Sequence, residues 1–330
     1  MKRKEGAGTV RIVIGVVILL LSLTMVFFGE KNRRESQNAI SIASKVVVEM
    51  KDASRIDPSM NGKLVHVTGM ALPQGEAVDP DFGVSRKAIK LARRVWFLQW
   101  TEDITRRTKS DGKEEIRYSY EEKWTTKPVD IAKFQNPGLL GAIHRTFYFT
   151  KDSNDLLAKY AKEDFYTERV ALGAYELPMF IAEQLPAKTV SDMTPDTKTA
   201  GEIEAFLLDR SDIKLAPRTK VHAGTGGFYI GADPENPQAG DVKIEFDETE
   251  PAEISLIAAV SGNAFASYKV EGGGEFSKMT AGKASASEML GEAESKSASN
   301  AWILRIFGGL MVLLSVWLIR GGLRKRALKG

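Results

Sequence analysis

IVIGVVILLLSLTMVFF, residues 12–28, and AWILRIFGGLMVLLSVWLI, residues 301–319, decide the fold class of this 330-residue chain. The first run carries no charge and the second only Arg305. At 1.5 Å rise per residue, 17 to 20 helical residues cover roughly 25–30 Å, the thickness of a bilayer's hydrocarbon core. The two runs therefore predict transmembrane helices bounded by Ile12 and Phe28 and by Ala301 and Ile319, with some 270 residues of soluble character between them. Lys2, Arg3, Lys4 and Arg11 would also suit a signal peptide, but Phe27-Phe28-Gly29-Glu30-Lys31 lacks a small-x-small cleavage site, so the first run reads as an uncleaved anchor. Trp302 and Arg305 are expected as interface anchors, the guanidinium reaching up to the headgroups.

The flanks set the orientation. The two tails and Arg305 hold 10 of the 46 basic residues and one of the 43 acidic ones, Glu5, which leaves 36 basic against 42 acidic residues for the rest. Positive charge is retained on the cytoplasmic side, so both termini are expected there and the middle outside, with Lys31, Arg33 and Arg34 as a counter-signal. The net charge of +3 thus reflects topology. A middle with an acidic excess is a poor match for nucleic acid.

No cysteine is present, which excludes a disulfide framework, thiol catalysis and thiolate-ligated zinc. The middle is long enough for a proper core. It predicts an α+β, β-rich extracytoplasmic domain between the two transmembrane α-helices. In chain order the expected parts are a cytoplasmic tail (1–11), a span (12–29), a juxtamembrane amphipathic helix (30–52), a first β-rich unit (53–165), a second (166–284), a helical connector (285–300), a span (301–319) and a basic tail (320–330). The two β units are suspected relatives. LVHVTGMAL at 64–72 and RVALGAYEL at 169–177 both alternate around a glycine, Gly69 and Gly173, and both end Leu-Pro. An OB-like small barrel is one form the first could take.

Within residues 32–50, Ala39, Ile40, Ala43, Val46, Val47 and Met50 recur at helical spacing. That face packs on its own domain or on a neighbouring chain; Ile40, Ala43, Val47 and Met50 are the candidate self-association residues. Asp79-Pro80-Asp81-Phe82-Gly83 reads as a turn into a helix over 84–94. Short helices are expected at 156–162 and 178–185, strands at 221–222, 227–230, 242–246, 254–260 and 265–270, and a flexible turn region at 272–282.

Residues 95–104 and 114–124 read as a hairpin around Lys109-Ser110-Asp111-Gly112-Lys113. Trp96, Leu98, Trp100 and Ile104 share one face; Ile116, Tyr118, Tyr120 and Trp124 share one on the partner. A two-residue Asp-Gly loop would set polar residues against aromatics. An odd-length loop with a bulge restores parity and would pair Trp100 with Trp124 and Ile104 with Tyr120. Core packing is the favoured fate of this aromatic set, a ligand cleft or lipid-facing surface the alternative.

Reactive constellations are missing. His66, His144 and His222 show no zinc spacing, and His66 within a strand reads as structural. No G-x-S-x-G occurs, and Ser261-Gly262 reads as a turn. Gly224-Thr225-Gly226-Gly227 lacks the Lys-Ser/Thr of a phosphate loop and leads into a strand. The acidic groups at Glu114, Glu115, Glu121 and Glu122 and at Glu245, Asp247, Glu248 and Glu250 lack a calcium-loop pattern and read as solvated strand edges, where charge hinders unwanted pairing. No catalytic, metal-binding or cofactor-binding residue is assigned, and no cofactor is expected.

Five ordered stretches carry a family resemblance: Gly62-Lys63-Leu64-Val65-His66-Val67-Thr68-Gly69; Asp79-Pro80-Asp81-Phe82-Gly83-Val84; Ala88-Ile89-Lys90-Leu91 with Arg93-Arg94-Val95 and Gln99-Trp100-Thr101-Glu102; Asp111-Gly112 with Arg117-Tyr118-Ser119-Tyr120 and Trp124; and Asn236-Pro237 with Gly240-Asp241-Val242-Lys243. In this order, between membrane anchors, they resemble the transmembrane protein 43 (LUMA) family. Gly69, Trp100, Tyr118, Tyr120 and Trp124 are its structural residues here. The resemblance implies a large domain on the lumenal side of a membrane, equivalent to a bacterial periplasm, and self-association in the organisation of membrane complexes. It supplies no catalytic residue. The family's nuclear contacts are not carried over, because a compact chain with few insertions points to a prokaryotic-type member. The family's several spans after the large domain are also not matched, since one follows it here.

The sequence thus predicts a non-enzymatic scaffold of the bacterial cytoplasmic membrane. It would self-associate as a homo-oligomer, with the lipid bilayer and other membrane proteins as partners and no nucleic acid. A membrane-tethered sensor or ligand-binding module is the alternative, and a lipid or cell-wall hydrolase a more distant one.

Overall fold

The computed structural model describes residues 6–109, 114–127, 129–130, 133–136, 161–193, 197–209, 218–271 and 274–327. Two long helices frame the chain, α1 (Gly6–Val46) and, at the far end, α4 (Ala286–Ala327). Between them lie short helices α2 (Met179–Ala182) and α3 (Thr197–Leu208) and eighteen strands among the described residues. The architecture is α+β, two terminal apolar helices flanking a β-rich centre.

Contacts divide the chain into two units. Unit 1 comprises 1–70, 172–178 and 253–330; unit 2 comprises 71–171 and 179–252. This is not the sequential division at 165/166 expected from the sequence. Pairing between chain-distant strands is the reason: residues near 64 and near 257 belong to one core, so a cut along the sequence cannot follow the packing.

In unit 1, β1 (Val48–Glu49) runs parallel to the start of β2 (Leu64–Gln74), with Glu49 opposite His66. β14 (Ala252–Ser261) pairs antiparallel with β15 (Ala264–Ala266) and with β18 (Lys278–Ala281), across the tight turn at Gly262-Asn263 in the first case. β9 (Tyr175–Leu177) joins parallel to β15. The backbone N–H of Gly62 donates to Val260, and that of Val260 to Lys63, so residues 62–63 lie along the same sheet. Ala39, Ile40 and Ala43 of α1 pack into a core with Leu64, Ile257, Val270, Phe276, Met289 and Leu290. The amphipathic face therefore serves its own protomer. Of the candidate self-association residues, Ile40 and Ala43 are buried in this core and Val47 is half-buried against it; Met50 is buried outside it, and Val46 is exposed. The helix ends at Val46 and residues 48–49 are extended, so Met50 does not belong to it. Strands at 275–276 and 278–281 occupy much of the expected flexible turn at 272–282.

In unit 2 one sheet runs β11 (Lys220–Gly224), β12 (Gly227–Gly231), β13 (Val242–Thr249), β5 (Lys90–Thr108), β6 (Glu114–Thr125), all antiparallel neighbours. β10 (Lys188–Thr189) adds to β13, and β7 (Glu163–Tyr166) to β5. The core lies on the face of Leu91, Val95 and Phe97, with Val242, Ile244, Phe246, Phe228 and Ile230 and with Ile203 and Leu207 of α3. The helix expected over 84–94 is instead a strand, β4 (Val84–Arg86), followed by the start of β5. Leu91, Arg93 and Val95 alternate onto one face there, a two-residue period that the basic residues had obscured. The sequence reading also missed α3. Residues 156–160 of the helix expected at 156–162, and the bulge of the hairpin loop, fall outside the described residues, while 161–162 are not helical.

Candidate functional site

The membrane anchor is built from small residues at seven-residue spacing. Gly8, Gly15, Ser22 and Gly29 on α1 and Ala301, Gly308, Ser315 and Gly322 on α4 are the buried positions of the two apolar segments. The helices pack antiparallel, Gly8 against Gly322, Gly15 against Ser315, Gly308 towards Ser22 and Gly29 against Leu304. A Cβ placed on Gly322 would sit 2.8 Å from the Gly8 carbonyl, and one on Gly15 would sit 3.0 Å from that of Ser315. Such approach needs glycine, because in lipid close van der Waals contact replaces the missing hydrophobic drive. A seven-residue repeat keeps one stripe of each helix facing the other. Ser22 and Ser315 satisfy their hydroxyls within their own helices, on Leu19 and Val312. The remaining surface is apolar and outward, with Phe27 66% and Leu313 68% exposed, as lipid contact requires.

Both ends of the pair are fastened by charge. The Arg305 Nε donates to Glu30 Oε1 at 2.6 Å, and its guanidinium lies 5.4 Å from the Trp302 ring. Sequence reasoning placed Arg305 and Trp302 as headgroup anchors and missed the Glu30 partner. At the opposite end Arg326 donates to the Thr9 hydroxyl and Arg11 lies over the Trp317 ring. The stripe itself was readable from the spacing of Gly, Ser and Ala.

His66 is buried in unit 1, Nδ1 at 2.7 Å from Glu49 Oε2 and Nε2 at 2.9 Å from the Ala284 carbonyl. It is structural, joining β1, β2 and the entry to α4. Gly69 on β2 admits Leu172, whose Cδ2 would lie 3.2 Å from an added Cβ.

In unit 2 the aromatic set lies on the sheet face opposite the core just described. His222, Tyr229, Lys243 and Trp96 stand in register across β11, β12, β13 and β5. The Lys243 ammonium sits 5.4 Å from the Trp96 ring and 5.0 Å from that of Trp124, and donates to Glu245 Oε1 at 2.9 Å. Trp124 also meets Tyr229 edge-on at 6.3 Å. The Tyr229 hydroxyl donates to Asp241, and burial followed by that carboxylate pushes its pKa up. Gly224 and Gly227 pair beside this ladder, and the cleft around them, about 580 Å³, is lined by His222, Tyr229, Lys243, Glu245, Thr189 and Ser191 among others. The Gly224–Gly227 loop is thus a hairpin turn, with Gly226 at φ 87°.

The hairpin keeps the expected parity but shifts by two residues. Leu98 faces Trp124, Trp100 faces Glu122, Glu102 faces Tyr120 and Ile104 faces Tyr118. Five residues, 109–113, lie between the innermost pair Thr108 and Glu114, an odd number. This register brings Trp124 to Lys243 and Tyr229, gives the Tyr120 hydroxyl Glu102 Oε2 at 2.8 Å, and gives Lys123 the Asp103 carboxylate at 3.0 Å. Trp96 and Trp100 are half-buried, and their indole N–H groups find no hydrogen-bond partner among the described residues. Beyond Leu98 the other edge of β5 has no strand partner among the described residues, and the hairpin continues as a two-stranded ribbon. It exposes Ile104 (53%) and Ile116 (43%) on one face and alternating charges on the other.

Arg93 is fully buried in the same unit. Its Nη1 donates to both Asp79 oxygens at 3.1 and 3.0 Å, Nε donates to Ala161, and Asp81 and Glu163 stand at 3.4 Å. Phe82 and Phe165 flank the guanidinium at 4.9 and 5.4 Å. Burial pushes Asp79 up to about 6, outweighing the opposing pull of Arg93. The sequence reading put Arg93 in a helix and Asp79 in a turn and gave Glu163 no element, so it could not bring them together. No group of three or more metal-ligating side chains occurs among the described residues.

Comparison with known proteins accords with this anchor and domain. The family model described as Transmembrane protein 43 matches residues 97–327. The rat and human proteins named Transmembrane protein 43 are each 22% identical, over 322 and 324 residues, covering 92% of this chain and 72% of theirs. The Drosophila melanogaster homolog is 23% identical over 311 residues, 92% of this chain and 74% of its own. No solved structure matches. With the family model spanning more than two thirds of its length and both apolar helices in place, the chain belongs to the transmembrane protein 43 family.

Proposed function

We propose that this family member is a non-enzymatic integral membrane scaffold that self-associates and organises protein assemblies at the bacterial cytoplasmic membrane. Both termini would lie in the cytoplasm and the β-rich centre outside. The observation that carries the reading is the β5–β6 ribbon. A two-stranded hairpin without further pairing is marginal in water, and one presenting isoleucine and tyrosine on a single face is a surface suited to a protein partner. Two anchors confine the chain to the membrane plane, which raises its effective concentration towards copies beside it. The test is the mass of the full chain in lipid nanodiscs. A dimer or larger assembly at sub-micromolar protein supports the reading; a monomer throughout a micromolar titration overturns it.

A second reading has its own support. The cleft beside the Gly224/Gly227 pair, with an aromatic ladder, a lysine and a glutamate on its wall, is of the size and mixed character of small-molecule sites. It would make the chain a ligand-binding module tethered to the membrane. Thermal shift of the full chain against a panel of envelope metabolites tests it, and no shift across the panel rejects it.

A further inference from the structure

We infer that self-association runs through the free edge of β6, joined antiparallel to the β6 of a second copy about a twofold axis at Ser119. This rests on the scaffold reading and names the surface it uses.

β6 is the terminal strand of its sheet among the described residues, twelve residues long. Such an edge presents unpaired N–H and C=O groups and pairs with another strand unless something prevents it. The direction of those groups follows from β5. Leu98 turns both its N–H and its C=O towards residues 240–241 on the β13 side, so along a regular strand the odd residues of β5 face β6. Odd pairs with odd in the hairpin register, so the odd residues of β6 face back. Tyr118, Tyr120, Ile116 and Glu122 are left with outward backbone groups. Phe134, Gln135 and Asn136 approach Tyr120 and Glu102 through side-chain atoms, the Tyr120 ring and hydroxyl and a Glu102 carboxylate oxygen.

The sequence EEIRYSYEEKWT, residues 114–125, is complementary to itself in one antiparallel register. With Ser119 opposite its own copy, Arg117 faces Glu121 and Glu115 faces Lys123. By symmetry each pair forms twice. On the other face Tyr118 meets Tyr120. Arg117–Glu121 and Glu115–Lys123 then fall at the non-hydrogen-bonded sites, where Cα atoms approach to about 4.5 Å and side chains interact most closely. Slipping by two residues is penalised either way. Centring on Tyr118 sets Glu115 against Glu121 and Glu114 against Glu122; centring on Tyr120 sets Arg117 against Lys123. A closed twofold contact uses up both edges and stops there, unlike an open-ended stack. Within the monomer these side chains already pair at the surface, Arg117 with Glu115 at 3.4 Å, Lys109 with Glu115 at 3.8 Å, and Lys123 with Asp103 at 3.0 Å and with Glu121, so the pairs between copies exchange with these contacts.

The absence of native cysteine makes the test direct. Ser119→Cys in the full chain, reconstituted in nanodiscs and oxidised, is expected to give a disulfide-linked dimer, since facing Cα atoms at this spacing suit a disulfide. Arg117→Cys alone is expected to give none, because its copies lie about 13 Å apart along the strand. Arg117→Cys mixed with Glu121→Cys is expected to give a mixed dimer. Glu115→Lys should weaken assembly roughly tenfold, like charges then facing at both symmetric sites, and Glu115→Lys with Lys123→Glu should restore it. An assembly by mass whose Ser119→Cys form does not cross-link, or cross-links no better than Arg117→Cys, overturns the edge and leaves the scaffold reading standing. A monomer by mass overturns both.

Discussion

Arg305 and Glu30, 275 residues apart in sequence, meet at 2.6 Å where the two apolar helices leave their shared stripe. The contact ties the last turn of the first span to the first turn of the second. Both side chains are about one third exposed, so solvent screening keeps the pair's own contribution small. Arg305→Ala is expected to lower the unfolding midpoint in nanodiscs by a few degrees. The swap Glu30→Arg with Arg305→Glu is expected to recover most of that loss. Equal effects of the single and swapped forms would show that the Trp302 stack, not the ion pair, matters.

Glycine on the helix stripe sets the distance between the spans. Gly322→Leu places a side chain where the Gly8 carbonyl lies 2.8 Å from the Cβ, and Gly15→Leu does the same against Ser315. Each is expected to part the helices, read as a longer distance between spin labels on Thr9→Cys and Arg326→Cys, which face each other at that end of the pair. Leu20 and Leu21 already face outward, so Leu20→Phe or Leu21→Phe should leave that distance unchanged.

Asp79 gives unit 2 a pH dependence of definite sign. Its folded pKa of about 6 lies above the ordinary aspartate value of 3.8, so the folded state holds the proton more tightly than the unfolded one. This group therefore adds stability as pH falls from above 6 towards 4 and withdraws it as pH rises through 6. Chemical denaturation should show greater stability at pH 5 than at pH 7.5. Arg93→Met leaves Asp79 buried without its main cation and should cost about 3–5 kcal/mol at pH 7.5, less at pH 5 where Asp79 takes a proton. A cost that does not change between the two pH values would contradict the assignment.

Ile104 is exposed on the ribbon and contributes little to the monomer's core. Ile104→Asp is expected to change monomer stability by no more than about 0.5 kcal/mol while weakening assembly. Unchanged assembly with unchanged stability would show that this face makes no contact.

Much of the anchor was legible because it is local. Uncharged length, flanking charge and terminal position each follow from counting residues. The strands of 221–270 were legible for the same reason, as alternation between glycines. The hairpin's parity was also legible, since odd or even register decides whether aromatics meet charges. Its two-residue shift was not, because it depends on Lys243 and Tyr229, more than 100 residues away, receiving Trp124. Which face of Trp96 and Trp100 meets the core was equally hidden: β5 is apolar on both sides, and only α3 and β13 decide between them. What covers Ile40 and Ala43 was not legible, because a helical stripe shows that something covers it, not what. Leu64 and Leu290 cover it in the same chain.

The doubly anchored topology is tested most directly by impermeant maleimide on intact spheroplasts carrying single cysteines. Asp233→Cys in the centre should label from outside, and Lys325→Cys after the second span should label only after the membrane is opened. Labelling of Lys325→Cys on sealed cells, or protection of Asp233→Cys, would contradict it.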